Sequence, residues 1–318
     1  AQNWLNNETV INFLKQRESF TISDVIKIRE LLNNKVDPIQ ALWLTLACPY
    51  ENSESATTQR ALRLPDTLEV TLHKYADHCV ISGYWPIDTK CQYAPDFKEW
   101  CLTSTERATL FRLCVALQSG FPLLLTGASP GGRTFVVSNL AKLWNRTLII
   151  ITLDETTTVD DLIGDIWTQD FDWTSKSHRS SLLRAMEEGH WVLIQGLDKA
   201  IPEVLSVIAL ICEGYSISEM IAEGNSYVSP TNRSRISNPF FRLFLCTHNQ
   251  QLLRYDLSQT CMCIHCDSIA TLQDVQEICT IRSSTWNPRL FGPEEIQYFY
   301  KCLYVINNTR TEAFSHMF

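Results

Sequence analysis

The chain has 318 residues, of which 45 % are hydrophobic and 19 % are charged, with a net charge of −8. This composition excludes a disordered chain, and the length predicts about two domains. The acidic balance argues against a nucleic-acid footprint over the whole chain. The sequence also has no apolar run of about 18 residues, so no membrane span is predicted.

Residues 1–65 are predicted to form a helical subdomain. Apolar residues recur at intervals of three and four and predict three helices, which cover Asn7–Arg17, Ser23–Leu32 and Ile39–Ala47. Ser23 is predicted to cap the second helix, and Pro38 suits the first turn of the third. Residues 66–102 are predicted to be a linker with a strand over Leu68–Leu72.

Strands and helices alternate over residues 103–270. Short apolar runs predict five strands, over Phe121–Thr126, Thr147–Leu153, His190–Ile194, Phe241–Thr247 and Thr260–His265. The predicted helices are Ser104–Gln118, Phe135–Trp144, Thr158–Ile163, Ser180–Glu188 and Pro202–Glu213. This alternation predicts an α/β fold with a five-stranded parallel sheet flanked by helices. Residues 271–318 are predicted to be helical, with helices over Leu272–Arg282 and Pro293–Ile306.

A glycine-rich loop lies between the first of these strands and the helix that follows. It is Gly127-Ala128-Ser129-Pro130-Gly131-Gly132-Arg133-Thr134, against the phosphate-binding pattern G-x-x-x-x-G-K-[ST]. The candidate nucleotide-binding residues are Gly127, Ser129, Gly131, Gly132, Arg133 and Thr134. Arginine keeps the charge of the usual lysine but is larger and planar, so the exchange is not conservative. ATP or ADP is the candidate ligand, and a loop kept only as a scaffold is the alternative.

The end of the third strand lacks the acidic residues that P-loop ATPases use to hold Mg²⁺ and to activate water. Gln195 and Gly196 stand at those positions. Neither side chain supplies a carboxylate, so we expect Mg²⁺ to be poorly held and no catalytic residue to be present. Asp198 follows three positions after Gln195 and is a weak candidate for a replacement.

Asn249 follows the fourth strand, where a polar residue can orient the attacking water. An ordinary loop asparagine is an equally good interpretation of this residue. The segment Tyr215–Asn238 is long and polar and is predicted to be an exposed insertion.

The twelve cysteines are scattered over the chain. They predict reduced, structural thiols and an intracellular, reducing compartment. The segment Cys261–Cys266 alternates as a strand, with Cys261, Cys263 and His265 on one face and Cys266 on the other. A structural metal site needs four convergent ligands, so no metal is expected here. The N-terminus has no signal-peptide pattern, and we interpret the chain as part of a longer protein.

These motifs together resemble the AAA+ family in its dynein-related branch, and within it the midasin-like ring ATPases. The most specific part is the segment Ser181–Ile194 preceded by Phe171-Asp172-Trp173. The segments Ser104–Thr134, Thr152–Gly164 and Pro239–Phe244 and residue Asn249 extend the resemblance. Residues 10–60 resemble the helical lid of a preceding AAA module, and residues 271–318 would be part of a further lid.

The resemblance implies an AAA+ P-loop core over residues 103–270 that belongs to a ring motor of large ribosomal subunit biogenesis. The degenerate positions imply a non-hydrolysing, structural or nucleotide-sensing module. Implied partners are neighbouring AAA modules in one long chain and a pre-ribosomal particle. The implied location is the nucleus, in the nucleolus and nucleoplasm.

A shorter resemblance favours an alternative. The segment Gly196–Ala200 is similar to MoxR-type AAA+ modules associated with von Willebrand A domains. It would imply an active or nucleotide-binding chaperone module, in which Asp198 is the natural candidate for the missing carboxylate.

Overall fold

The structure describes most of the core and two N-terminal helices. The computed structural model describes residues 21–46, 72–74, 79–81, 103–127, 132–164, 180–214, 238, 240–248 and 255–266. For residues 72–74 and 79–81 it describes the backbone. The predicted helices over Asn7–Arg17, Leu272–Arg282 and Pro293–Ile306 lie outside these ranges.

The core is a five-stranded parallel sheet, as predicted. A short antiparallel pair precedes it, formed by β1 (Leu72–Lys74) and β2 (Cys79–Ile81). The strands of the main sheet are β3 (Leu123–Thr126), β4 (Leu148–Thr152), β5 (Trp191–Gln195), β6 (Arg242–Cys246) and β7 (Met262–His265). Their spatial order is β4-β5-β6-β3-β7, and every pairing is parallel. The carboxyl ends of β3, β5 and β6 therefore meet at one edge of the sheet, where open α/β sheets bind ligands.

The helices connect the strands close to the predicted positions. They are α1 (Ile22–Asn33), α2 (Pro38–Leu46), α3 (Ser104–Leu117), α4 (Arg133–Leu143), α5 (Val159–Ile163), α6 (Ser181–Glu188), α7 (Pro202–Glu213) and α8 (Tyr255–Thr260), with a 3₁₀ turn at Leu197–Lys199. The bounds of α7 agree with the prediction at both ends. Helix α8 was not predicted, because six residues are too few to show a helical period.

Each face of the sheet is covered by its own core. Leu123 and Leu125 of β3 pack into the first core, with side chains of α1 to α4. Leu124 points the other way, into the second core under α5 to α8. In β5, Trp191 belongs to the first core and Val192 to the second in the same way. Strands β3 and β5 are continuous apolar runs because both of their faces are buried, whereas the edge strand β4 is only partly buried.

The cap of α1 differs from the prediction. Thr21, and not Ser23, caps the helix: its hydroxyl accepts from the Asp24 N–H at 3.3 Å, and the Asp24 carboxylate accepts from the Thr21 N–H at 3.0 Å. This reciprocal pair is a capping box. Ser23 lies in the first turn, and its hydroxyl donates to the Gln259 carbonyl oxygen of α8.

Helices α1 and α2 share the first core with the sheet. Trp43 of α2 is buried, and its ring centroid lies 6.3 Å from that of Phe111 in α3. The Arg112 guanidinium lies 5.6 Å from the Trp43 ring centroid and donates to the His265 carbonyl oxygen of β7 at 2.8 Å. The origin of residues 1–65 as the lid of a preceding module stays a prediction, as do the boundaries near residues 65, 102 and 270.

The cysteines of β7 and its flanks alternate as predicted. Cys261 and Cys263 lie in the second core, whereas Cys266 lies in the first. In the described parts of the chain, no group of three or more His, Cys, Asp or Glu side chains is arranged to hold a metal ion. Nor does any helix of those parts have the length and apolar character needed to cross a membrane.

Burial raises the pKa of the Cys246 and Cys263 thiols to about 12. Since the pKa is raised in the folded state, the folded protein holds these protons more tightly than the unfolded chain. The stability from this source is therefore present below about pH 9 and is lost as the pH rises towards 12.

We expect Cys246 and Cys263 to resist iodoacetamide in the native protein at about pH 8, because only the thiolate is the nucleophile. Peptide mass spectrometry after labelling measures this, and the same chain in guanidinium chloride is the control in which both thiols should react. Equal labelling of these two residues in the native and unfolded chains would contradict the buried, protonated state.

Candidate functional site

The candidate site lies at the carboxyl ends of β3, β5 and β6. Two glycines of the site have positive φ angles, which residues other than glycine rarely adopt. Gly127 has φ +129°, and a Cβ there would overlap the Cys266 carbonyl oxygen. Gly132 has φ +59° in the left-handed region and precedes α4 as its N-cap. These conformations favour glycine. They place the N-terminus of α4 beside the end of β3, and the N-terminus of a helix is a place where phosphates bind.

The predicted loop residues fall into two groups. Gly127, Gly132, Arg133 and Thr134 lie at this edge of the sheet. Ser129 and Gly131 lie outside the described residues, as does Asn249 after β6.

Arg133 is bonded to other groups of the chain. Its side chain is buried, with 8 % exposure. Its Nη1 donates to the Gly127 carbonyl oxygen at 2.7 Å and also to the Thr247 carbonyl oxygen. Its Nη2 lies 3.0 Å from Nδ1 of His248. Because a guanidinium can only donate, Nδ1 accepts this bond, and the neutral His248 ring carries its proton on Nε2.

Thr134 and Gln195 contact each other directly. The Gln195 Nε2 donates to the Thr134 Oγ1 at 2.6 Å. P-loop ATPases use the hydroxyl at the first of these positions and a carboxylate at the second to hold Mg²⁺. Here a neutral amide bonded to that hydroxyl replaces the acidic ligand, so these residues do not fit a well-held magnesium ion.

Gly196 leaves no room for the missing glutamate. It has φ +78°, and a Cβ there would overlap the Leu153 carbonyl oxygen. The neighbouring strands hold this geometry, since the Leu153 N–H donates to the Gln195 carbonyl oxygen at 2.8 Å. A carboxylate at position 196 would therefore require the backbone after β5 to move.

Asp198 is directed to the end of β6. Its Oδ1 accepts from the Thr247 hydroxyl and, at 3.1 Å, from the His248 N–H. Its Oδ2 lies 3.4 Å from the same N–H. The carboxylate thus serves to hold the residues that follow β6, which does not favour a role in place of Gln195.

His248, Thr247 and Leu153 were missed by the sequence analysis. Their roles depend on the parallel pairing of strands that are far apart in the chain. His248 immediately precedes the predicted Asn249, so its position was indicated by the strand end, but its bond to Arg133 was not.

The turn after β4 was also missed. Asp154 Oδ1 accepts from the Thr156 N–H at 2.9 Å and from the hydroxyls of Thr156 and Thr157 at 2.7 and 2.9 Å. Hydrogen bonds from Thr156 and then Thr157 lower the pKa of this exposed carboxyl. The carboxylate stabilises the turn that leads from β4 into α5.

We expect Gly196→Ala to destabilise the chain more than Gly214→Ala. Both glycines have a left-handed φ, at +78° and +86°, but a Cβ at Gly214 would meet nothing within 4 Å. The backbone strain of about 1–2 kcal/mol is then common to both variants. The overlap with Leu153 should add on the order of 1–3 kcal/mol at position 196 only.

Urea denaturation of the two variants and the parent chain measures this difference in the free energy of unfolding. Equal losses in the two variants would contradict the steric block at position 196.

Comparisons with known proteins agree with this geometry. The family model described as "AAA domain (dynein-related subfamily)" matches residues 122–260. Midasin of Dictyostelium discoideum is 30 % identical over 131 residues, which cover 39 % of this chain and 2 % of the relative. Midasin of Giardia intestinalis is 24 % identical over 110 residues, which cover 35 % of this chain and again 2 % of the relative. The chain thus matches a small part of these long proteins.

A comparison with solved structures finds variants of RuvB from Thermotoga maritima. One is 15 % identical and covers 52 % of this chain and 43 % of its own, with a TM-score of 0.34. Another has 14 % identity, covers 57 % of this chain and 50 % of its own, and has a TM-score of 0.35.

Proposed function

Since residues 122–260 form a midasin-like AAA module of the dynein-related type, we propose that this module does not hydrolyse ATP and acts as a structural or nucleotide-sensing part of an AAA+ ring. The hydrogen bond from Gln195 to Thr134 is the observation that carries this proposal. It joins the two positions that would otherwise share a magnesium ion.

The chemistry of phosphoryl transfer explains why this contact matters. Catalysis in P-loop enzymes comes from positioning and from the neutralisation of developing charge, for which the metal ion is essential. A neutral Gln195 cannot supply the anionic ligand, and Gly196 has no side chain to polarise water. A module with this arrangement keeps the architecture of an ATPase and has no carboxylate at positions 195 and 196.

Weak binding of ATP or ADP is compatible with the same arrangement. The start of α4, with Gly132 at its N-cap, keeps the backbone of an anion-binding helix terminus. Binding of this kind would be a means of sensing nucleotide in the ring without turnover.

The larger setting rests on the similarity to midasin. We propose that the module lies next to further AAA modules in one long chain, and that the assembled ring acts on a precursor of the large ribosomal subunit in the nucleolus and nucleoplasm. The matched segments support this proposal through their sequence identity over 131 and 110 residues. The alternative, a MoxR-type chaperone module, would need Asp198 as a catalytic group, whereas its carboxylate is bonded to Thr247 and His248.

We expect the purified chain to show no magnesium-dependent ATP hydrolysis above the background without protein. Phosphate release with MgATP measures this, and Asp198→Asn is the informative variant, because it removes the carboxylate that the MoxR-type alternative requires. Turnover in the parent chain that Asp198→Asn abolishes would refute the non-hydrolysing module and favour the alternative.

The setting of the module needs a separate test. The natural gene product, tagged in its full length, should sediment with precursors of the large ribosomal subunit on a sucrose gradient. If the tagged protein sediments apart from every ribosomal precursor, the ribosomal part of the proposal is refuted. The assignment of the AAA module is then unaffected.

A further inference from the structure

The guanidinium of Arg133 connects segments that are distant in the sequence. Gly127 lies 6 positions before it, whereas Thr247 and His248 lie 114 and 115 positions after it. We propose that Arg133 is an internal latch: it holds Gly127, at the end of β3, against Thr247 and His248 at the end of β6, and a nucleotide has to displace it. This goes beyond the proposed function, because it concerns the resting module and a side chain whose expected role is to bind phosphate.

The latch continues the pairing of β3 and β6 beyond their last residues. Leu125 is paired with Cys246 in the parallel ladder, and the Thr247 N–H donates to the Leu125 carbonyl oxygen at 3.0 Å. The carbonyl oxygens of Gly127 and Thr247 lie beyond this last backbone hydrogen bond. Nη1 of Arg133 donates to both, so one nitrogen joins the two strand ends where the ladder stops.

Asp198 holds the same strand end from another side. It accepts from the Thr247 hydroxyl and from the His248 N–H, while the His248 ring accepts from Arg133. Thr247 and His248 are therefore fixed between a cation and an anion of the same chain. The Asp198 carboxylate thus holds the two residues that accept from the guanidinium.

Arginine suits this role better than the lysine of the usual motif. Its planar fork carries donors on two terminal nitrogens, and here these reach two carbonyl oxygens and one ring nitrogen. A lysine has a single terminal nitrogen, whereas here two separate nitrogens serve the carbonyl oxygens and His248. The buried position also requires acceptors, since a desolvated cation without them is strongly unfavourable.

Nucleotide binding would compete with the latch. If the Arg133 guanidinium turned towards a phosphate, the Gly127 and Thr247 carbonyl oxygens and His248 Nδ1 would lose a donor. A ligand shifts such an equilibrium only by its difference in affinity for the two states. The latch should therefore weaken nucleotide binding and make the fold of the module independent of nucleotide.

The test compares three variants with a matched control. Arg133→Met removes the latch, Arg133→Lys keeps the charge but loses the fork, and His248→Ala removes one acceptor. Lys142→Met is the control, because Lys142 is an exposed cation of the same helix. Two quantities are measured for the full chain: the Tm in EDTA without nucleotide, and the Kd for a fluorescent N-methylanthraniloyl derivative of ATP.

The latch predicts that Arg133→Met lowers the Tm without nucleotide by on the order of 5 °C or more, because buried charged hydrogen bonds are lost. The Tm of Arg133→Lys should lie between the Tm of this variant and that of the parent. The Tm of Lys142→Met should stay within about 1 °C of the parent, as expected of an exposed substitution. His248→Ala should bind the fluorescent nucleotide more tightly than the parent chain does, since it frees one arm of the guanidinium.

The opposite pattern would overturn the proposal. If Arg133 is a phosphate ligand in the resting site, both Arg133 variants should keep the Tm of the control and lose nucleotide affinity about tenfold or more. Absence of binding by the parent and by every variant would refute displacement by nucleotide. If Arg133→Met does not fold, the Tm of Arg133→Lys and the Kd of His248→Ala test the proposal in its place. ATP turnover by the parent would refute the proposed function alone, because the Tm comparison contains no nucleotide.

Discussion

The hydrogen bond between Gln195 and Thr134 is the contact on which the account of this module depends. It lies where the end of β5 meets the start of α4, and in an active P-loop ATPase those two positions act together on a metal ion. A neutral amide satisfies the hydroxyl instead. Two neighbouring charged side chains also form hydrogen bonds within the chain. Arg133 donates to carbonyl oxygens, and Asp198 accepts from the residues after β6. The polar side chains of the site that the structure describes are thus hydrogen-bonded to one another.

The topology of the sheet makes this self-contained arrangement possible. With the strand order β4-β5-β6-β3-β7, the central β6 lies between β5 and β3. The three strand ends that carry Gly127, Gln195 and Thr247 are therefore adjacent, although about 120 residues of sequence separate the first from the last. Gly196 shows that the backbone has adapted as well, since its conformation brings it against the Leu153 carbonyl oxygen. The local structure therefore has no space for a carboxylate side chain at position 196.

The sequence patterns were enough to predict the parallel sheet, because five apolar runs separated by helical segments are compatible with few other folds. They also predicted Gln195, Gly196, Arg133 and Thr134 as site positions, and the structure places these four residues at one edge of the sheet. They could not show the direction of the Arg133 side chain, because its partners Thr247 and His248 become neighbours only through the β3–β6 pairing. The cap of α1 was misplaced by two residues for a local reason: Thr21 and Ser23 are both good capping residues, and the reciprocal bond of Asp24 with Thr21 decides between them.

The most direct measurement is a crystal structure of the chain grown with magnesium and a non-hydrolysable ATP analogue. The account predicts that Gln195 remains bonded to Thr134 and that no metal ion lies within about 2.1 Å of the Thr134 hydroxyl, the distance that magnesium ligands require. A magnesium ion coordinated by Thr134, with Gln195 or Asp198 turned towards it as a further ligand, would contradict the central claim.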